Sequence, residues 1–201
     1  MNIRKLYYLH HRLAAVKAWY FLIPAVIFGV LAVTSLQGNY RTMTTLREAV
    51  YKADRENGDV EKALSDLRRH VYSHMNTNLV SGSNPIKPPI QLKARYDRLV
   101  ETEKERVKAL NAQITARGEQ ICGALHPAAG YNAPRVACLQ EYVRTNSIGE
   151  MPVPDQLYKF DFISPKWSPD LAGFSLLLAF LFLALFIARL LLERYMKKRL
   201  Q

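Results

Sequence analysis

Two unbroken apolar runs, residues 18–36 and 171–188, stand near opposite ends of the 201-residue chain and bracket a polar segment. Neither contains a charged residue; the first holds ten Leu, Ile, Val or Phe residues and the second twelve. Each is about as long as a helix must be to cross a hydrocarbon core of roughly 30 Å. At about −0.3 to −0.6 kcal/mol per such residue, the first run favours a bilayer by roughly 3–6 kcal/mol before its polar residues subtract. Pro24 and Gly29 fit within a membrane helix, where neighbouring helices satisfy freed backbone groups. Val33-Thr34-Ser35 resembles a cleavage site, but the run exceeds the roughly 7–15-residue core of a signal peptide, so an uncleaved anchor is expected.

Between the runs the periodicity is helical. Residues 39–57 contain few breakers and meet Gly58, a helix stop, so this stretch should continue the first span. Asp59 then reads as an N-cap for a stripe of Val60, Leu64, Leu67, Val71, Met75 and Leu79. The segment SGSNPIKPPI (81–90) marks a connection, because its Asn-Pro and Pro-Pro steps exclude regular structure. A long helix is predicted from about 91 to 121, with Val100, Glu103, Val107, Leu110, Ile114, Arg117 and Ile121 at heptad-like spacing. Glu103 and Arg117 interrupt that seam. A last helix begins near Pro134 and carries Val136, Leu139, Tyr142 and Val143.

The expected fold is therefore an all-α membrane protein. Two transmembrane helices would flank an exported helical hairpin or a three-to-four-helix bundle. The divisions are a basic tail (1–17), a first span (18–36), the exported bundle (37–157), an aromatic and Pro-rich collar (158–170), a second span (171–192) and a second basic tail (193–201).

Charge supplies the orientation. Arg4, Lys5, Arg12 and Lys17 precede the first span with no acid among them. Arg189, Arg194, Lys197, Lys198 and Arg199 follow the second, offset only by Glu193. The two tails thus hold +8 of the formal net charge of +11, and the middle holds +3. Lys and Arg concentrate on cytoplasmic flanks, so both termini are expected inside a plasma membrane with the middle extracytoplasmic. The basic excess is then an orientation signal that also attracts anionic lipid, and nucleic acid is not an expected partner. The absence of an Asn-x-Ser/Thr acceptor between residues 37 and 170 agrees with a bacterial membrane.

Aromatic placement follows the same plan. Trp19 and Tyr20 mark the inner edge; Tyr158, Phe160, Phe162 and Trp167 mark the outer edge and are candidates for lipid or partner contact. Ile3, Leu6, Tyr7, His10, Leu13 and Ala14 fall at helical spacing, which suits either a helix on the inner leaflet or an extension of the span. Ala25 and Gly29, and Ala184 and Ala188, have the small-xxx-small spacing that permits close helix contact.

Candidate chemistry is sparse. Cys122 and Cys138 are the only cysteines and fall in the expected exported part, where a disulfide is their simplest fate. Asp66, His70 and His74 lie one helical turn apart in succession, the only spacing that suggests metal ligands. One helix cannot readily close three ligands round one ion, and no zinc-protease Glu accompanies them, so no cofactor and no catalysis are expected.

This layout resembles two-pass bacterial receptors with an exported four-helix-bundle sensing module, over residues 18–192 and in architecture alone. Such receptors continue into a signalling domain, whereas this sequence ends about a dozen residues after its second span. The resemblance thus implies a subunit that hands its signal to another protein. A second similarity, to polysaccharide chain-length regulators, rests on two spans with a Pro-rich stretch (164–169) before the second. Their exported domain is larger and contains strands, which the pattern here does not predict. The chain is also similar to uncharacterised two-pass bacterial proteins. The expectation is a non-enzymatic interaction, scaffold or accessory subunit of a cell-envelope complex, with a membrane-protein partner or a second copy. A ligand-sensing subunit and a chain-length-regulator-like protein are the alternatives.

Overall fold

The computed structural model describes residues 16–80, 87–127 and 132–200. Of the expectations above, Arg4, Lys5, Arg12, the stripe from Ile3 to Ala14 and most of the 81–90 connection lie outside the described residues, as does the side chain of Arg199. The described residues are mostly helical, with five α-helices among them: α1 Trp19–Arg55, α2 Val60–Ser73, α3 Lys93–Leu125, α4 Ala133–Asn146 and α5 Leu171–Leu200. Two of them, α1 and α5, are long and apolar enough to cross a membrane.

The chain divides into two compact units. The first takes the described residues of segments 1–53, 59–87 and 161–201; the second takes 54–58 and the described residues of 88–160.

In the first unit, α1 runs 37 residues without interruption, about 56 Å at 1.5 Å per residue. Asn57, in the 54–58 turn that belongs to the second unit, has φ 53° beside the glycine that stops the helix. Asp59 caps α2 as its position predicts, its carboxylate accepting the Lys62 amide at 2.9 Å. The predicted stripe becomes the core: Val60, Leu64, Leu67, Val71, Met75 and Leu79 are all buried, together with Met43 and Val50 of α1. Residues 36 and 39 of α1 bond to residues 70, 75 and 76, so α2 returns antiparallel to the polar half of α1.

Three contacts order the two apolar helices against each other. Asn39 Nδ2 donates to Asp170 Oδ2 at 2.8 Å, the rings of Phe28 and Phe182 stack at 5.8 Å, and Arg189 Nε donates to the Val16 carbonyl at 2.9 Å. As the first partner's number falls the second's rises, so α1 and α5 run antiparallel. Ala25 and Ala32 are buried on the Phe28 face, whereas a Cβ on Gly29 would meet open space and Ala184 and Ala188 are exposed. Of the four small-xxx-small residues, only Ala25 is therefore covered within the described chain.

The second unit is built along α3. Its N-terminus has no capping side chain of its own; Asp54, at the end of α1, supplies one. The Asp54 carboxylate accepts the amides of Ala94 at 3.0 Å and Arg95 at 2.8 Å, and Arg98 closes on it at 3.3 Å. At the far end Asn132 caps α4 through the Arg135 amide. The α4 helix then packs on α3 over Gly118, where a Cβ would come within 2.7 Å of Tyr142 and 2.9 Å of Leu139. Cys122 and Cys138 are disulfide-bonded across this contact.

The heptad seam predicted on α3 drifts. Val100, Glu103, Val107, Asn111, Ile114, Gly118 and Cys122 occupy the covered face, while Arg117 and Ile121 are exposed. Those steps average about 3.67 residues per turn, slightly above a straight helix's 3.6, so the covered face does not keep to heptads. After α4 the chain returns in extended form. Asn111 clasps the backbone of Ile148 through both N–H and C=O, at 2.9 and 3.0 Å. A 3₁₀ turn, Asp155–Leu157, precedes an unpredicted two-residue strand pair in which β1 (Ile90–Gln91) meets β2 (Lys159–Phe160) antiparallel, Ile90 opposite Phe160.

Replacing Asp54 with Ala removes the cap of a helix it does not belong to. The expected cost is about 1–2 kcal/mol, read as faster hydrogen exchange at the Ala94 and Arg95 amides. The 15 residues between the cysteines predict that reduction costs about 3 kcal/mol on the chain-entropy model. Exchange protection of α4 with and without reductant checks this.

Candidate functional site

The sequence-predicted site residues scatter, and what gathers instead is a polar junction at one end of the paired apolar helices. Asp170 is its centre. One carboxylate oxygen caps α5 by accepting the Gly173 amide at 2.9 Å, and the other accepts the Asn39 amide of α1. Ser168, fully buried, accepts the Met75 amide at 2.9 Å and is hydrogen-bonded to Asp170. Asn39 also reaches the Met75 carbonyl at 3.4 Å. Asn76, held at φ 61°, donates to the Leu36 carbonyl at 3.1 Å. Thr77 is buried and bonds the carbonyls of Val71 and His74. The end of α2, the middle of α1 and the start of α5 are thereby tied by hydrogen bonds as well as by apolar packing.

Gly173 allows this closeness. A Cβ there would run into the Ser168 carbonyl and approach Trp167 Nε1 at 2.9 Å. Burial pushes the Asp170 carboxyl up, but the Gly173 amide, Asn39 and Ser168 together outweigh it, and the group sits below its ordinary value.

The two histidines belong to the edge of this junction. His70 Nε2 lies 3.0 Å from the Asn39 carbonyl, and its ring stacks on that of His74 at 4.4 Å. Asp66 turns the other way and pairs with Arg69 at 2.6 Å. Among the described residues no three His, Cys, Asp or Glu side chains are arranged to hold a metal ion.

The collar aromatics divide. Phe162 is buried, edge-on to Tyr72 at 6.1 Å with the Arg68 guanidinium 5.2 Å from its ring. Tyr158 and Phe160 are half-buried in the second unit, where Tyr158 packs against Tyr96 at 4.7 Å. Only Trp167 keeps an open face, 46% exposed and edge-on to Phe174. At the opposite end of the apolar helices Trp19 and Tyr20 are exposed, as are Lys17, Arg194, Lys197 and Lys198, with Lys197 reaching Glu193 at 3.1 Å.

On α3, Glu103 has a structural job that its place in an apolar seam disguised. It grips Arg106 through two 2.7 Å bonds and accepts the Met151 amide at 3.1 Å, which fastens the returning strap to the helix. The Arg106 guanidinium, then that amide, lower its carboxyl to about 2. Shallow grooves flank the strap, one mainly apolar and lined by Leu99, Met151, Pro152, Val153 and Leu157 among others, the other mixed, with Glu103 and Glu150 beside Val100.

No family model, curated protein or solved structure matches this chain.

Because Asp170 is depressed in the folded state, its contribution to stability is present above its unfolded value of about 4 and lost as the pH falls through the folded one. Asp170→Asn should lower the unfolding temperature at neutral pH and flatten the acid-side decline below about pH 4. Thermal unfolding of both proteins across that range reads the difference.

Proposed function

We propose that this chain is a two-pass plasma-membrane protein with both termini cytoplasmic, whose exported helical part serves as a non-enzymatic interaction or accessory subunit of a cell-envelope complex. One observation carries the reading. The two apolar helices pair antiparallel, yet only 11% and 17% of their most apolar windows is buried within the chain. Val26, Val30 and Val33 on α1 and Phe174, Leu177 and Leu181 on α5 face outward, among many others. Leaving so much apolar surface in water is costly, and a bilayer removes that cost.

The basic residues collect at the end of the pair marked by Lys17, Arg194, Lys197 and Lys198, which supports an inside position for that end. The polar junction at Asp170 then lies on the exported side, and so does the disulfide, where oxidising conditions maintain it. The second unit offers a partner a stiff hairpin. Its disulfide end shows Ile121 at 39% and Leu125 at 65% exposure, apolar side chains that suit a protein contact better than water.

A second reading, a ligand-sensing subunit, draws support from the grooves beside the Met151 strap, where a small molecule would bear on the Glu103 clasp.

Crosslinking of intact cells with an amine reagent that cannot cross membranes separates these readings. Exposed Lys93 and Lys104 should be labelled and joined to another envelope protein, with Lys197 and Lys198 spared. Links confined to the chain itself would favour ligand sensing. Labelling of Lys197 and Lys198 with Lys93 and Lys104 untouched would overturn the orientation.

A further inference from the structure

A cavity of about 520 Å³ opens where the apolar part of α1 ends, between the segment after α2 and the approach to α5. Its lining is divided by chemistry. Leu36 and Met75 supply apolar wall, while Asn76, Asn78, Ser164 and Lys166 supply polar groups. Asn78 Oδ1 accepts the Ser164 hydroxyl at 2.7 Å, which commits the amide's acceptor and leaves its N–H groups to other partners. Asn76 spends one N–H on the Leu36 carbonyl and keeps the second. Lys166 is exposed, and among the described residues no carboxylate pairs with it. No lining residue is acidic. A cation beside amide donors, with no competing acid, selects an anion that accepts several hydrogen bonds.

The position identifies the source of that anion. Leu36 is the last residue of the first apolar run, and Lys166 stands five residues before Leu171, where the second begins. Val33, one turn along α1 on the Leu36 face, is 55% exposed, and Trp167 next to Lys166 keeps an open face. The cavity therefore lies where the apolar runs give way to the polar segment between them. Resting on the membrane reading above, we propose that it binds the phosphodiester headgroup of an anionic phospholipid. Lys166 pairs with the phosphate, Asn76 and Asn78 donate to its oxygens, and the first acyl methylenes lie along Leu36 toward Val33.

The test is native mass spectrometry of the delipidated full chain in mild detergent. The probes are phosphatidylglycerol, a diacylglycerol without phosphate, and soluble glycerol 1-phosphate. One phosphatidylglycerol per chain should be retained about tenfold more than diacylglycerol, and Lys166→Glu should lower that retention by about tenfold. Lys166→Gln should fall between, and Lys197→Glu at the other end of the helices should change nothing. Unfolding temperatures equal to wild type establish that the variants are folded. Equal retention of diacylglycerol, or indifference to Lys166→Glu, would overturn the site. Glycerol 1-phosphate binding as tightly as the lipid would overturn the lipid as occupant. Alkaline carbonate extraction of cell membranes is the independent control. Release of the protein there would sink the membrane reading itself, whereas a protein that resists extraction but ignores phosphatidylglycerol sinks this inference alone.

Discussion

Asp170 carries two constraints on one carboxylate. It must cap α5, whose first amides have no partner inside the helix, and it must hold Asn39, 131 residues earlier in the chain. A helix cap fixes a side chain's direction tightly, so the Asn39 bond inherits that precision and sets how far along α1 the start of α5 can sit. The stacked Phe28 and Phe182 rings and the Arg189–Val16 contact then fall into register. A neutral apolar surface offers no such register, because one Leu against another packs nearly as well a turn away. Polar groups at the ends of two apolar helices can therefore decide an alignment that the apolar stretches leave open.

The same junction reaches α2. Ser168 and Asn39 both hold Met75, and Asn76 holds Leu36, so the residues after α2 are fastened to each apolar helix at its end. His70 and His74 bridge that region without forming a metal site, their rings stacked and their nitrogens turned to backbone and hydroxyl oxygens. A shift of α2 would have to break bonds to both α1 and the collar.

The second unit solves a different problem. A long, charged helix such as α3 buries too little apolar surface to be stable by packing alone. It is held at intervals by specific contacts: Asp54 at its start, the Glu103 clasp on Met151, the Asn111 clasp on Ile148, and the disulfide near its end. Each acts on a different stretch, so the returning chain is fixed to the helix along most of its length. That construction leaves α4 and the disulfide end with apolar residues in the open, a disposition that suits an interaction module.

Much of the secondary structure was legible in the residues. The apolar runs, the Asp59 cap, the α2 stripe and the Pro134 helix start all depend on neighbours a few positions away, and the cysteine pairing was legible because the sequence holds only two. The Glu103 grip on Met151 and the Asn111 clasp on Ile148 were not legible because those partners come 48 and 37 residues later. Asp54 was invisible as a cap because it serves a helix that begins 39 residues on, at Lys93. Asp66, His70 and His74 line up along one stretch of sequence, but Asp66 pairs with Arg69 while the two histidine rings stack on each other and His70 reaches the Asn39 carbonyl. The sequence by itself determined two apolar helices, a helical middle and a lopsided charge, since hydropathy, periodicity and net charge are properties of segments. Only the tertiary structure decided the antiparallel register, the Asp170 junction and the cavity beside Lys166, since each requires side chains from distant segments to meet at hydrogen-bonding distance.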